Sequence, residues 1–247
     1  ISIFRKKEFL IDQLEGITDI HNHILPGIDD GAATIDDSIL LLEKFKNLGI
    51  TKFIATPHIM NDFYPNTSET IKEALDKLKD KIDKTDSLKN TEIRFAAEYM
   101  MDQSFLDLLH EHKLLTLKDN MVLVEISYFQ APINLSEILF KLQTSGYRPV
   151  LAHPERYAFY HSKDLSKYKN LKERGCLFQL NALSLTQHYG GDMQKIAYKL
   201  LEAGMIDFIG TDTHRVQHLE KLSNTVIPRK NKDSVYKMIS KTREYFN

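Results

Sequence analysis

Ile17-Thr18-Asp19-Ile20-His21-Asn22-His23-Ile24-Leu25-Pro26-Gly27-Ile28-Asp29-Asp30-Gly31 sets how the rest of the chain is read. A short β-rich run, 17–20, ends on two histidines one residue apart, and a Pro/Gly turn carrying two aspartates follows. Side chains alternate with period two on extended backbone, so His21 and His23 face the same side. The same kind of unit recurs: apolar runs of strand length stand at 52–56, 93–97, 121–126, 149–152, 177–180 and 207–210. Each is bounded by polar or turn residues, as expected of strands buried on both faces.

Helical patterns fill the intervals. Ile35, Ile39, Leu42 and Phe45 share a face, with Thr34 placed to cap the start and Gly49 to stop the helix. Ile71, Leu75, Leu78 and Ile82 form a second stripe, and further helices are predicted over 103–112, 135–145, 164–174, 192–203 and 231–246. Strand and helix alternating seven times predict a parallel sheet with right-handed crossovers. The economical solution is a distorted TIM-like (β/α)7 barrel; an open doubly wound sheet is the alternative. No Pro/Gly/Ser-rich linker interrupts the chain, so 1–247 is expected to be one domain. In it 1–16 is a lead-in and 231–246 a C-terminal helix.

Hydrophobic residues make up 42% of the 247 and charged residues 27%, which excludes a disordered or collagen-like chain. Lys+Arg number 33 against 34 Asp+Glu; the net charge of −1 argues against a nucleic-acid binder working by bulk attraction. The single cysteine, Cys176, cannot form an internal disulfide, which suits a reducing compartment. No run of 18 apolar residues exists, so no membrane span is expected. Arg5-Lys6-Lys7 is followed by no apolar stretch, so the start is not read as a signal peptide. The expected location is the cytoplasm.

The histidines and carboxylates cluster at strand ends. His58 follows the second strand, Glu98 the third, His153 the fifth, and Asp212 with His214 the seventh; Glu125 lies near the end of the fourth and Asp30 in the first loop. In a parallel barrel these ends converge on one face, where active sites form. Imidazole and carboxylate together suit zinc, iron, manganese or nickel. A lone histidine at a strand end is ordinarily a hydrogen-bonding residue, but six of the seven strands carry a histidine or an acid at the same end. His110, His112, His161 and His188 fall outside the pattern and are expected at the surface; His218 is left undecided.

Nine candidate ligands exceed what one ion takes, and two ions would need high coordination without bridging. Three ions sharing carboxylates and a hydroxide fit better. With four carboxylates this leaves a net charge of about +1, attractive to a phosphate dianion. Phosphate monoesters are among the slowest substrates to hydrolyse unaided, and that chemistry asks for such assistance.

The ordered set Asp19-Ile20-His21-Asn22-His23, Thr56-Pro57-His58, Ala97-Glu98, Val124-Glu125, Ala152-His153-Pro154-Glu155-Arg156-Tyr157 and Thr211-Asp212-Thr213-His214 resembles the polymerase-and-histidinol-phosphatase (PHP) superfamily. Within it the match is to the bacterial metal-dependent protein-tyrosine phosphatases of capsule and exopolysaccharide gene clusters. The resemblance runs from about residue 17 to 215. It implies a distorted (β/α)7 barrel with three divalent metals, manganese by preference with iron, zinc or magnesium as alternatives. It places His21, His23 and Asp212 on one ion, Glu98 as a bridge, Glu125 and His153 on the second, and Asp30, His58 and His214 on the third. Arg156 resembles the family's phosphate-binding arginine, able to hold two phosphate oxygens. The expected catalytic residues are Arg156, Asp212 and His214. Relatives often carry another arginine shortly after the D-x-H motif; here Arg215, His218 or neither takes that place.

The expected mechanism is in-line attack by a metal-bridging hydroxide on phosphotyrosine, with a tyrosinate of pKa about 10 leaving without a dedicated acid. The implied substrate is the tail of a bacterial tyrosine kinase. Phe63, Tyr64, Tyr128 and Phe129 are read as either mouth-lining residues or barrel packing. Asn181 is read as a phosphate contact or a strand cap. Cysteine-based phosphatase chemistry is dismissed, because a Cys-x5-Arg loop is required and Ala182 stands six residues past Cys176. Three rivals remain. An amidohydrolase commonly bridges its metals with a carboxylated lysine, where this chain has Glu98 and Glu125. A small-molecule phosphatase, such as one acting on histidinol phosphate, shares the metal set. A non-catalytic metal-dependent binding module is of another class.

Overall fold

The computed structural model describes residues 7–247; Arg5 and Lys6 of the basic lead-in lie outside the described residues. The strand segments are β1 Thr18–Asp19, β2 Lys52–Ala55, β3 His58–Ile59, β4 Glu92–Phe95, β5 Glu98–Met100, β6 Met121–Glu125, β7 Arg148–Ala152, β8 Leu177–Asn181 and β9 Phe208–Gly210. The ladders between these segments are all parallel, in the orders β1-β2-β4 and β3-β5-β6-β7-β8-β9. The second and third expected strands end at Ala55 and Phe95, and each is followed by a further short segment, β3 and β5. Pro57 has no N–H to donate, so the ladder stops after Ala55 and resumes at His58. The neighbouring strand is interrupted at the same level, between Phe95 and Glu98. Counting β2/β3 and β4/β5 as one each, seven units stand side by side in chain order, a TIM-like arrangement.

At the C-terminal rim the seventh unit meets the first. Asp212 N donates to His21 O at 2.7 Å and His23 N to Thr213 O at 3.0 Å. Buried Asp19 accepts from Thr211 N at 2.9 Å and Thr211 Oγ1 at 2.7 Å. At the opposite end the space between β1 and β9 is taken by the C-terminal helix. Thr242 Oγ1 accepts from Ile209 N at 3.0 Å, and Phe246 packs edge-on to Phe208 with centroids 5.0 Å apart.

The helices are α1 Leu10–Leu14, α2 Ile35–Asn47, α3 Ser68–Ile82, α4 Gln103–His110, α5 Leu135–Thr144, α6 Ser166–Glu173, α7 Gly191–Glu202, α8 Val216–Ser223 and α9 Lys232–Phe246. Thr34 caps α2 in a capping box with Asp37. The short α1 and α8 were not expected; α1 buries Leu10, Ile11 and Leu14 within the lead-in. Two apolar layers result. Ile20, Ile54, Ala96, Leu123, Val150 and Phe208 gather with Phe246 inside the ring of strands, while Phe53, Val122, Leu151 and Phe178 belong to the larger cluster shared with the helices. Filling the interior from below leaves only the C-terminal strand ends open to chemistry. Among the described residues no helix is long and apolar enough to cross a membrane.

Candidate metal centre

Strand alternation aims the site. Leu123 lies inside the ring, so Glu125, two residues on, faces the same way at the top of β6. Ala96 and Glu98 stand in the same relation. His153, directly after Ala152, and Asp212, two residues after Gly210, adopt left-handed backbone, with φ of 36° and 50°. For residues other than glycine this costs about 1–3 kcal/mol each and is kept only where surrounding bonds enforce it. Here His153 N donates to Gln179 O at 2.8 Å and Asp212 N to His21 O at 2.7 Å. Gly31 lets the first loop fold over the site, since a Cβ there would sit 2.1 Å from His23 O.

All nine expected residues meet in one cup. His21 Nε2 lies 3.1 Å from Glu98 Oε2 and 3.4 Å from Asp212 Oδ1. His23 Nε2 lies 3.3 Å from the same Asp212 oxygen and 3.4 Å from His21 Nε2. His58 Nδ1 is 3.2 Å from Glu98 Oε2 and 3.0 Å from Glu125 Oε1. His153 Nε2 is 3.0 Å from Glu98 Oε1. Asp30 Oδ1 stands 3.2 Å from His214 Nε2 and 3.5 Å from His58 Nε2.

Three groupings could hold a cation: His21, His23, Glu98 and Asp212; His23, Asp30, His58 and His214; and His58, Glu98 and Glu125. The first and second contain the ion sets implied by the resemblance. In the third, Glu125 is joined by His58, while His153 approaches from the far oxygen of Glu98.

Buried polar atoms test the fit. Glu98 Oε2, Glu125 Oε1 and His58 Nδ1 are buried without a hydrogen-bond partner and converge on one another. Ligands about 2.1 Å from a shared ion stand roughly 3.0–3.4 Å apart, which is the spacing seen here. The rings are also locked in the required tautomer. His21 Nδ1 donates to Gln179 Oε1 at 2.7 Å and His23 Nδ1 to Asp29 Oδ2 at 2.7 Å. Both Nε2 atoms therefore face the cup with lone pairs. Acceptors crowded this way need a cation, a proton or a metal, between them, and the donor set fits divalent metals.

The electrostatics follow. Burial opposes the charges of Glu98 and Asp212, yet the surrounding imidazoles, His21 foremost, hold both carboxyls well below the usual range. Burial likewise opposes a charged His58, but Glu98 and Glu125 push it up to about 9. Burial, helped by the Arg156 charge, brings His153 down to about 4.

Arg156 stands at the wall of the cup. Its Nη1 donates to Asp212 Oδ2 at 2.8 Å, and its guanidinium carbon lies 4.2 Å from the Tyr189 ring centroid and 4.8 Å from that of Tyr128. Two aromatic rings at such distances hold a cation by ring electrostatics. Asn181 is buried beneath and does not line the cavity; its Nδ2 donates to Asp212 Oδ2 at 2.7 Å and to Tyr189 Oη at 3.0 Å. Arg215 is exposed and also lies outside the cavity lining. His218 Nδ1 accepts from His214 N at 3.3 Å and so steadies that loop. His161 and His188, expected at the surface, are half-buried and hydrogen-bonded, to Glu155 O and Lys221 Nζ.

A cavity of about 970 Å³ opens from the cup, and Phe63, Tyr64, Tyr128 and Phe129 all line it. Of the two readings of these aromatics, the mouth is the one observed. Phe63 is 72% and Phe129 92% exposed, and Tyr64 stacks on His58 with centroids 5.5 Å apart. Cys176 is buried, its thiol pushed up to about 12 by burial, as expected for an inert core residue.

Sequence reasoning missed Asp29, Gln179 and Tyr189. Gln179 carries a signal, as a polar residue in the inward register of an apolar strand. Asp29 adjoins Asp30, and nothing local separates ligand from orienter. Tyr189 has no local signal.

Comparison with known proteins gives the chain's relatives and its family. Tyrosine-protein phosphatase YwqE of Bacillus subtilis is 35% identical over 204 residues, covering 81% of this chain and 78% of that protein. Tyrosine-protein phosphatase CpsB of Streptococcus agalactiae is 26% identical over 205 residues, covering 80% and 83%. A crystal structure from work on YwqE and on CpsB of Streptococcus pneumoniae, described as unique metal-dependent tyrosine phosphatases, superposes with a TM-score of 0.82 at 29% identity. It covers 93% of this chain and 94% of that one. The phosphotriesterase homology protein of Escherichia coli shares the fold alone, with a TM-score of 0.54 at 12% identity. Residues 17–243 match the family described as capsular polysaccharide synthesis, CpsB/CapC, and the chain belongs to that family.

Proposed function

We propose that the chain is a metal-dependent phosphatase that hydrolyses phosphotyrosine in proteins, and that its cup holds three divalent ions, manganese foremost. The observation that carries this reading is the convergence of orphaned acceptors from Glu98, Glu125 and His58 beside a guanidinium held against Asp212. When bound, divalent ions in such a set lower the pKa of water and neutralise charge on the transferring phosphoryl group. Asp30, His58 and His214 form the outer edge of the cup, Glu98 its floor, and His21, His23, Glu125, His153 and Asp212 complete it.

Arg156 has five N–H donors, and one meets Asp212. The others are available to phosphoryl oxygens, with Tyr189 and Tyr128 holding the guanidinium plane. Asp212 links Arg156 to the cup and, with His214 two residues on, ties the phosphate contact to the metal set. Tyr128 lines the path by which an aromatic leaving group departs. Tyrosinate leaves with a pKa of about 10, so no side chain is assigned as general acid. The substrate we favour is the tail of a bacterial tyrosine kinase, in capsule or exopolysaccharide regulation. The named activity of the relatives supports this, and a reducing cytoplasm suits the lone buried thiol.

The test is manganese-reconstituted protein assayed on a phosphotyrosine peptide, a phosphoserine peptide and histidinol phosphate. The phosphotyrosine peptide should be preferred; preference for histidinol phosphate would overturn the substrate assignment.

A further inference from the structure

The cavity above the cup shares part of its wall with a second one. The loop 127–134, between β6 and α5, walls the first cavity, and three of its residues, Ala131, Pro132 and Ile133, also line a groove of about 420 Å³ running between α5 and α6. Ile133 is fully exposed on this saddle and Phe129 is 92% exposed beside it. Exposed apolar side chains placed together between two concavities mark a contact surface.

The groove has a defined sign. Lys167 and Arg174 are the charged residues lining it, with no carboxylate among its lining. The Lys167 ammonium meets the carbonyl of Phe159, and Arg174 Nε donates to Asn170 Oδ1 at 2.8 Å. Neither makes an ion pair among the described residues. The far side of the catalytic cavity has the opposite sign, with Asp62 and Asp102 in its wall. A flanking carboxylate is thus drawn toward α6 and repelled from the other side.

We propose that the substrate is an extended peptide that crosses the Ala131–Ile133 saddle. Its phosphotyrosine enters the cup, and acidic residues flanking it on one side lie in the Lys167/Arg174 groove. This rests on the phosphatase reading above and adds the sequence preference.

The test uses the full chain reconstituted with manganese and three substrates: a phosphotyrosine peptide with flanking Asp/Glu, the same peptide with Asn/Gln, and p-nitrophenyl phosphate. The wild type should favour the acidic peptide by about tenfold in kcat/KM, chiefly through KM, the scale of two exposed ion pairs. The preference should fade as salt rises. Lys167→Gln with Arg174→Gln should abolish it and leave p-nitrophenyl phosphate turnover unchanged, which also shows the variant folded. Equal turnover of both peptides by the wild type would overturn the proposal. So would a double variant that keeps the preference, or one in which sedimentation reveals a lost dimer, since the groove then belongs to a second copy of the chain. No turnover of any of the three substrates would remove the phosphatase reading, and this proposal with it.

Discussion

Replacing Arg156 by alanine separates binding of metal from stabilisation of the phosphoryl group. The guanidinium contributes one charge-assisted bond, Nη1 to Asp212 Oδ2 at 2.8 Å, and its side chain is 20% exposed. Asp212 Oδ2 keeps a second donor, Asn181 Nδ2 at 2.7 Å, so the carboxylate is not stranded. Loss of one hydrogen bond to a buried charge costs about 1.5–3 kcal/mol; with a donor retained and partial exposure, about 2 kcal/mol is expected. For a chain of this size that lowers Tm by about 6 °C. The catalytic effect should be larger, because a preorganised donor to developing charge is worth about 10²–10³ in kcat. Arg156 supplies no ligand atom, so metal content, read by elemental analysis, should be unchanged. Arg156→Lys restores the charge without the planar fork between Tyr128 and Tyr189, and should recover no more than about tenfold. A kcat within about threefold of wild type at full metal loading would refute the assigned role, and so would a loss of activity that tracked loss of metal.

Two further outcomes concern the cup itself. Asp29→Asn removes the carboxylate that accepts from His23 Nδ1 at 2.7 Å and from His58 N at 3.2 Å; metal affinity measured by chelator competition should fall about 10–100-fold, and unchanged affinity would deny Asp29 its orienting role. In the metal-free protein His58 is raised from 6.5 to about 9, so it adds stability that is fully present below about 6.5 and lost as pH rises through about 9. Divalent metal must expel that proton, so affinity should climb between pH 6 and 8, and calorimetry in two buffers at pH 7 should count at least one proton released. Binding with no proton release would contradict the electrostatics described above.

Much of the site was legible because its residues sit at the ends of strands, and strands announce themselves by apolar runs. His21 and His23 needed only the period of extended backbone, and Arg156 was carried by its neighbours His153, Pro154 and Glu155. The interruption of the second strand was written in Pro57, although the matching break before Glu98 was not. Less visible were the groups that act on other side chains. Gln179 orients His21 across 158 residues of chain, and that partnership exists only because β8 and the first unit approach the same point of the rim. Arg215, offered by the sequence beside His218 or neither for a second phosphate contact, is exposed at the start of α8 and outside the cavity.

The amino-acid sequence alone determined which residues are chemically able to hold cations and that they fall at one end of parallel strands, because periodicity and residue type are local properties. Tertiary structure decided which carboxylate meets which imidazole, that His58 joins Glu98 and Glu125, and that Tyr189 and Asn181 lock Arg156 and Asp212 in place. Those are distances between segments far apart in the chain, set by sheet register, by the break before Glu98 and by the left-handed turns at His153 and Asp212, none of which a single residue's identity specifies.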